Sequence, residues 1–163
     1  MKIVDLNVLL YAVNADSAHH RPLLDWWNRA VNHESLGLPW IVLLGFLRIS
    51  THPKIFPSPL TPEIALQMAN TWLSLDNIRV VHEREQHWEV LRSLLEEAGT
   101  AGNLTTDAHL AALAISHGAA LISCDNDFMR FKGLRWENPL GKPGRCLENL
   151  AGVSPSAAGS GIL

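Results

Sequence analysis

Lys2-Ile3-Val4-Asp5-Leu6-Asn7 opens the chain. It reads as a short apolar strand that ends in a carboxylate and turns at once into a helical or turning segment, residues 7–14. The same grammar returns late in the sequence. Ala119-Ala120-Leu121-Ile122-Ser123 is a second apolar run, again followed by a carboxylate, Asp125. Ile78-Arg79-Val80-Val81 is a third candidate strand, and Leu134-Arg135-Trp136 a final edge strand. Short β-branched runs bounded by turn residues and separated by helix-length segments read as β–α units. They predict an α/β fold with a mostly parallel sheet.

The intervening segments read as helices. Ser17 is placed to cap a helix to about Val31, with Pro22 in its first turns or marking its true start and Leu23, Trp27, Ala30 and Val31 facing the core. Gly37-Leu38-Pro39 reads as a connection, at most preceded by a very short strand. Residues 40–51 are apolar nearly throughout and too long for an ordinary strand, so they predict a buried helix. Thr61-Pro62-Glu63 is a helix start, with Ile64, Met68, Trp72 and Leu73 as its apolar stripe. Residues 85–98 predict an amphipathic helix with Trp88, Leu91, Leu95 and Ala98 on one side, Trp88 as a core or dimer-interface residue, stopped by Gly99. Thr105 or Thr106 caps a helix from Asp107 to His117 that Gly118 ends, and a short helix is expected around residues 128–131.

The chain has 163 residues, enough for one domain with a sizeable core. Residues 1–140 read as that domain, and residues 141–163, rich in Gly, Pro, Ser and Ala, as an extended, partly disordered tail. A composition 47% hydrophobic and 18% charged is that of a globular protein. No apolar run is long enough to span a bilayer, and Asp5 interrupts any secretory signal, so a cytoplasmic protein is expected. Cys124 and Cys146 match neither a disulfide framework nor a zinc motif. The formal charge of −3 argues against coating nucleic acid by bulk electrostatics. A local basic strip, Arg130, Lys132, Arg135, Lys142 and Arg145, is either a solvated surface or a phosphate-contacting edge.

In parallel sheets ligands bind beyond the carboxyl ends of the strands. Asp5 and Asp125 stand there, and Asp107 sits at a helix start, so all three can meet in one cleft. Each has a plainer explanation alone: Asp5 as a helix cap, Asp107 as a partner of the helix dipole, Asp125 and Asp127 as turn residues. Together they favour a site. Clustered carboxylates repel unless a cation joins them, and Mg²⁺ and Mn²⁺ take oxygen ligands. Such an ion supplies the activated water and the charge neutralisation that phosphodiester cleavage needs.

The same residues carry a resemblance. Ile3 to Tyr11 (IVDLNVLLY), Leu104 to Ala114 (LTTDAHLAALA) and Leu121 to Phe128 (LISCDNDF) are similar, in this order, to three motifs of the VapC-type toxins of the PIN-domain ribonuclease family, and Gly45-Phe46-Leu47-Arg48-Ile49 fits one branch. The resemblance covers about residues 2–140. It implies a three-layer α/β/α sandwich, Mg²⁺- or Mn²⁺-dependent endonucleolytic cleavage of RNA by a metal-activated water, a homodimer, and a cognate VapB-like antitoxin of a type II toxin–antitoxin pair. Carried over by motif, Asp5 and Asp107 become the principal metal ligands and Asp125 completes the pocket, partly through water. Ser123 would orient Asp125 or a water; Asp127 is a fourth acid or a turn residue. Asn7 is a neutral ligand, a water contact or a turn residue, and Arg48 a phosphate contact, an acid's partner or a surface residue. Many members carry Glu where Gly45 stands, which points to one tightly held ion with a second recruited by RNA. Two rival functions remain: a degenerate PIN domain that binds RNA or a partner without cutting, and a haloacid-dehalogenase-like phosphatase with Asp5 as nucleophile. Trp26 and Trp136 are candidates for base stacking, and His19, His20 and His109 for positions near the cleft.

Overall fold

Ile3 and Val4 are fully buried, as strand residues covered on both faces must be. They form β1 (Lys2–Val4), the centre of a sheet described by a computed structural model that covers residues 1–56 and 58–141. The other strands are β2 (Leu36–Pro39), β3 (Ile78–Val81), β4 (Ala120–Ile122) and β5 (Arg135–Glu137). Their order is β3-β2-β1-β4-β5, and every neighbouring pair is parallel. The helices are α1 (Leu6–Val13), α2 (His20–His33), α3 (Trp40–Ser50), α4 (Pro62–Leu73), α5 (His87–Ala98) and α6 (Thr105–Ser116). Parallel crossovers are right-handed. The chain therefore lays α1 to α4 on one face while it steps from β1 to β3, and α5 and α6 on the other when it returns to β4. The packing agrees: α1 meets α2 and α3, α3 meets α4, and α5 meets α6. This is the expected α/β/α sandwich, with its strand order reversing between β1 and β4.

β2 corrects the sequence reading, which had Gly37-Leu38-Pro39 as a connection. Leu36 and Leu38 are fully buried, and Lys2 pairs with Leu36 and Ile3 with Gly37. Gly37 is required by its neighbours: a Cβ there would stand 2.4 Å from Val81 Cγ2 and 3.3 Å from Ile3 Cγ1. A glycine and a proline weaken strand propensity, and burial between two parallel neighbours overrides it.

Helix bounds differ where local hydrogen bonds compete. The Ser17 hydroxyl accepts the His19 N–H in a turn, so α2 starts at His20, two residues later than a Ser17 cap would start it. Thr61 caps α4 as read, its hydroxyl accepting the Ile64 N–H, and Pro62 opens the first turn. The inward stripe of α4 is Ala65, Ala69 and Trp72, while Ile64 is exposed. Small alanines let α4 approach, and Trp72 fills the space, with ring centroids 5.4 Å from Trp27 and 4.7 Å from Phe46. In α5 the buried residues are His87 and Leu94, and Trp88, read as a core or dimer-interface residue, is 65% exposed. Gly99 and Gly118 end α5 and α6 with φ of 69° and 57°, where a side chain would be strained.

Candidate active site at the sheet switch point

Where strand order reverses, the two adjacent strands send their chains to opposite faces and open a crevice at their carboxyl ends. β1 and β4 flank it here. The Asp5 N–H extends the ladder to the Ile122 carbonyl at 2.9 Å, so the backbone is fixed up to the carboxylate. Asp5 is also the N-cap of α1, its Oδ1 accepting the Leu6 N–H at 2.6 Å. Capping and site membership coexist: the residue is 7% exposed and at the mouth of the crevice.

A polar network joins the two strand ends. Asp5 Oδ2 accepts the Ser123 hydroxyl at 2.6 Å and the Asn7 amide at 2.7 Å. The Asn7 amide also donates to Ser123 Oγ at 3.0 Å, and Asn7 Oδ1 accepts the Cys124 N–H at 3.1 Å. Ser123 Oγ further accepts the Asp125 N–H at 3.0 Å. Asp125, exposed, caps the 3₁₀ turn Asn126–Arg130, accepting the Asp127 N–H at 2.8 Å. That turn begins two residues earlier than expected because Asp125 caps it. Asp127 is exposed and accepts from Arg130 at 2.8 Å.

Asp107 enters from the other face, half-buried in the first turn of α6. Its carboxyl is pushed up to about 6, first by burial and then by the negative charges of Asp5, Asp125 and Asp127, with Arg130 opposing. Burial also raises Asp5, against the hydrogen bonds from Ser123, Leu6 and Asn7, and Asp125 adds to the rise. The Cys124 thiol is pushed up to about 11 by burial and by Asp5. The predicted acids are thus near enough to repel one another in a partly desolvated crevice. Among the described residues no three histidine, cysteine or acidic side chains close into a metal cage. The donor set nevertheless fits a hard divalent cation: carboxylate oxygens whose mutual repulsion a cation would relieve.

The remaining candidates fall outside this network. α3 carries no acid, and a Cβ on Gly45 would stand 2.6 Å from Leu6 Cδ2. Leu6 has taken the space beside α3. Arg48 is exposed in the last turn of that helix. The described members of the basic strip have internal partners: Arg130 with Asp127, Lys132 with Glu97, and Arg135 with the Gly118 carbonyl. Lys142, Arg145 and Cys146, and the tail expected at 142–163, lie outside the described residues. The Trp136 indole N–H is held by the Ser123 carbonyl at 3.0 Å. His19 stacks edge-on against Tyr11, and His20 Nδ1 lies 3.3 Å from the Tyr11 carbonyl. His109 faces His87, Nδ1 to Nε2 at 2.9 Å. His87 escaped the sequence reading, because only a helix register placing residue 87 inward would have revealed it.

Comparison with known proteins agrees with this architecture. The chain is 45% identical over 140 residues to Ribonuclease VapC37 of Mycobacterium tuberculosis, covering 85% of this chain and 97% of that protein. It is 40% identical over 141 residues to Ribonuclease VapC33 of the same species, covering 86% and 99%. Among solved structures, VapBC2 from Rickettsia felis bound to a DNA fragment from their promoter superposes with a TM-score of 0.63 at 20% identity, over 84% of this chain and 97% of that one. The model of the PIN domain matches residues 2–134, which take in the reversed sheet order and all the carboxylates around it, and the chain belongs to the PIN domain family.

Proposed function

We propose that the chain is the toxin of a type II toxin–antitoxin pair, an endoribonuclease that cuts RNA with a divalent ion, Mg²⁺ or Mn²⁺, at Asp5, Asp107 and Asp125. The observation that carries this reading is the convergence of Asp5, Asp107 and Asp125 at the switch point, where Asp107 is half-buried and its carboxyl is pushed up to about 6, first by burial and then by the neighbouring acids. Relatives that match nearly end to end are named ribonucleases. When bound, the ion supplies an activated water and offsets charge on the phosphate. Asp5 presents a carboxylate fixed by β1 and α1, Asp107 brings the charge from α6, and Asp125 closes the open side. Ser123 orients Asp5 and the Asp125 backbone. Asp127, tied to Arg130, acts as a turn residue. With Gly45 in α3, these acids hold one resident ion, and RNA recruits any second.

The partners in this reading are RNA, a VapB-like antitoxin and a second copy of the chain; the solved relatives include VapBC assemblies. In this reading the ribonuclease domain is residues 1–140, a length that matches the 140 and 141 residues over which the relatives align. Among the described residues no helix is long and apolar enough to cross a membrane, which suits a cytoplasmic toxin. Incubation of a mixed RNA pool with purified protein and Mg²⁺ or Mn²⁺, beside EDTA and Asp107→Ala, tests the assignment. Metal-dependent cutting that vanishes in the variant is expected. Equal cutting by both proteins sinks it.

A further inference from the structure

Asn7 has no free donor. Its two amide hydrogens go to Asp5 Oδ2 and Ser123 Oγ, and its oxygen takes the Cys124 N–H. The orientation of this amide is fixed by its neighbours, because only the NH₂ can donate to a carboxylate and only the oxygen can accept from a backbone N–H. Ser123 Oγ is saturated as well: it donates to Asp5 and accepts from Asn7 and from the Asp125 N–H. Asp5 Oδ2 takes two donors, and Oδ1 takes one, the Leu6 N–H. A carboxylate offers about four lone-pair sites. One remains, on Oδ1.

We propose that Asn7 is a positioning residue and not a ligand: it bridges the ends of β1 and β4, occupies Asp5 Oδ2 together with Ser123, and so makes Asp5 a one-oxygen ligand through Oδ1. The inference rests on the proposed metal site and adds to it a division of labour between two adjacent residues. Asp5 presents charge; Asn7 decides which oxygen presents it. The span matters as much as the contact. Asn7 and Cys124 are 117 positions apart, and through Ser123 Oγ the same bridge reaches the Asp125 N–H. Loss of the amide leaves Asp5 Oδ2 with Ser123 as its one remaining donor here and removes the side-chain bridge to the Cys124 N–H, which loosens the carboxylate.

The test is Mn²⁺ binding to the purified full chain, by calorimetry or electron paramagnetic resonance, for the parent, Asp107→Ala, Asn7→Ala, Ser123→Ala and Ser123→Thr. Thermal unfolding in EDTA reports the fold separately. Outer partners of metal ligands affect affinity by about 10–100-fold. Asn7→Ala is expected to weaken Mn²⁺ by that factor, and cleavage in it should recover at high Mn²⁺, as a raised half-saturation with kcat nearly kept. Ser123→Thr, which keeps the hydroxyl, should bind as the parent does, and Ser123→Ala should not. If Asn7→Ala does not fold, Asn7→Ser, which keeps a donor and loses the reach to Cys124, takes its place with the same expectation. Mn²⁺ affinity within about twofold of the parent in a folded Asn7 variant overturns the positioning role while leaving the site in place. Equal binding by parent and Asp107→Ala overturns the site itself, and the inference with it.

Discussion

Two buried polar groups touch α6 two residues apart, and they handle burial in opposite ways. On one side Asp107 faces Asp5 and Asp125 across the switch point. On the other, His109 faces His87 at 2.9 Å, with Glu83 3.7 Å beyond it. The acidic group is well hydrogen-bonded around Asp5 and electrically frustrated. Asp5, Asp107 and Asp125 share one sign, with Arg130 opposing at Asp107, and burial raises both Asp5 and Asp107. The histidine pair is electrically quiet and poorly bonded. Burial lowers the pKa of both rings and so favours their neutral form, while His87 Nδ1 is buried without a partner. A pair that relieves its own electrostatics by shedding protons needs nothing from outside. A cluster that keeps like charges together does, and this marks the acidic side as the place for a cation.

The largest expected difference is functional. Asp107→Asn should lower RNA cleavage by on the order of 10²-fold or more, the range seen when a preorganised electrostatic partner is removed. His87→Phe should leave the rate within about twofold. Single-turnover rates of folded variants decide this, and a comparable loss in both would erase the distinction. Next comes metal. Saturating Mn²⁺ should raise the melting temperature of the parent and of His87→Phe alike, and raise that of Asp107→Asn far less, since only a ligand that binds the native state stabilises it.

The pH response should separate the two groups by sign. Asp107 has its folded pKa raised from 3.8 to about 6. The stability it contributes is therefore fully present below its unfolded pKa and is lost as pH rises toward 6. His87 and His109 have folded pKa values lowered below 6.5, so their contribution is present above that value and is lost as pH falls. In EDTA, melting temperature against pH should show Asp107→Asn gaining on the parent between about pH 4 and 6. His87→Phe should lose the parent's acid sensitivity below about 6.5. Parallel curves for all three proteins would contradict the assignment. The smallest effect is on stability at neutral pH. His87→Phe removes one buried orphan atom and leaves His109 Nδ1 alone, two changes of about 1 kcal/mol each and of opposite sign. Urea midpoints within a few tenths of a molar would agree with that.

The fold and the acidic cluster were legible because both are written locally. A run such as Ile3-Val4-Asp5 states a strand and its end in adjacent residues, and Asp107 and Asp125 follow similar local signals. What was illegible depends on partners distant in sequence. Gly37 and Pro39 look like a turn until Ile3 and Val81 close around them. The inward face of α5 is set by His87 meeting His109, not by its tryptophan. Asn7 was read as a neutral ligand, a water contact or a turn residue. Its partners on β4 are more than a hundred positions away, and no local pattern announces them.

Gly45 and Leu6 carry a consequence for how such a site changes over generations. A side chain on residue 45 meets Leu6 at once, and Leu6 directly follows the Asp5 cap of α1. An acid cannot be added to α3 at that position by one substitution without disturbing the residue beside Asp5. Either Leu6 turns its terminal methyls aside or a smaller residue replaces it, and that smaller residue alone leaves a gap against α3. Residues 6 and 45 are thus sterically coupled. Lineages with glycine at 45 should retain a bulky residue at 6, and lineages with glutamate there a smaller or displaced one.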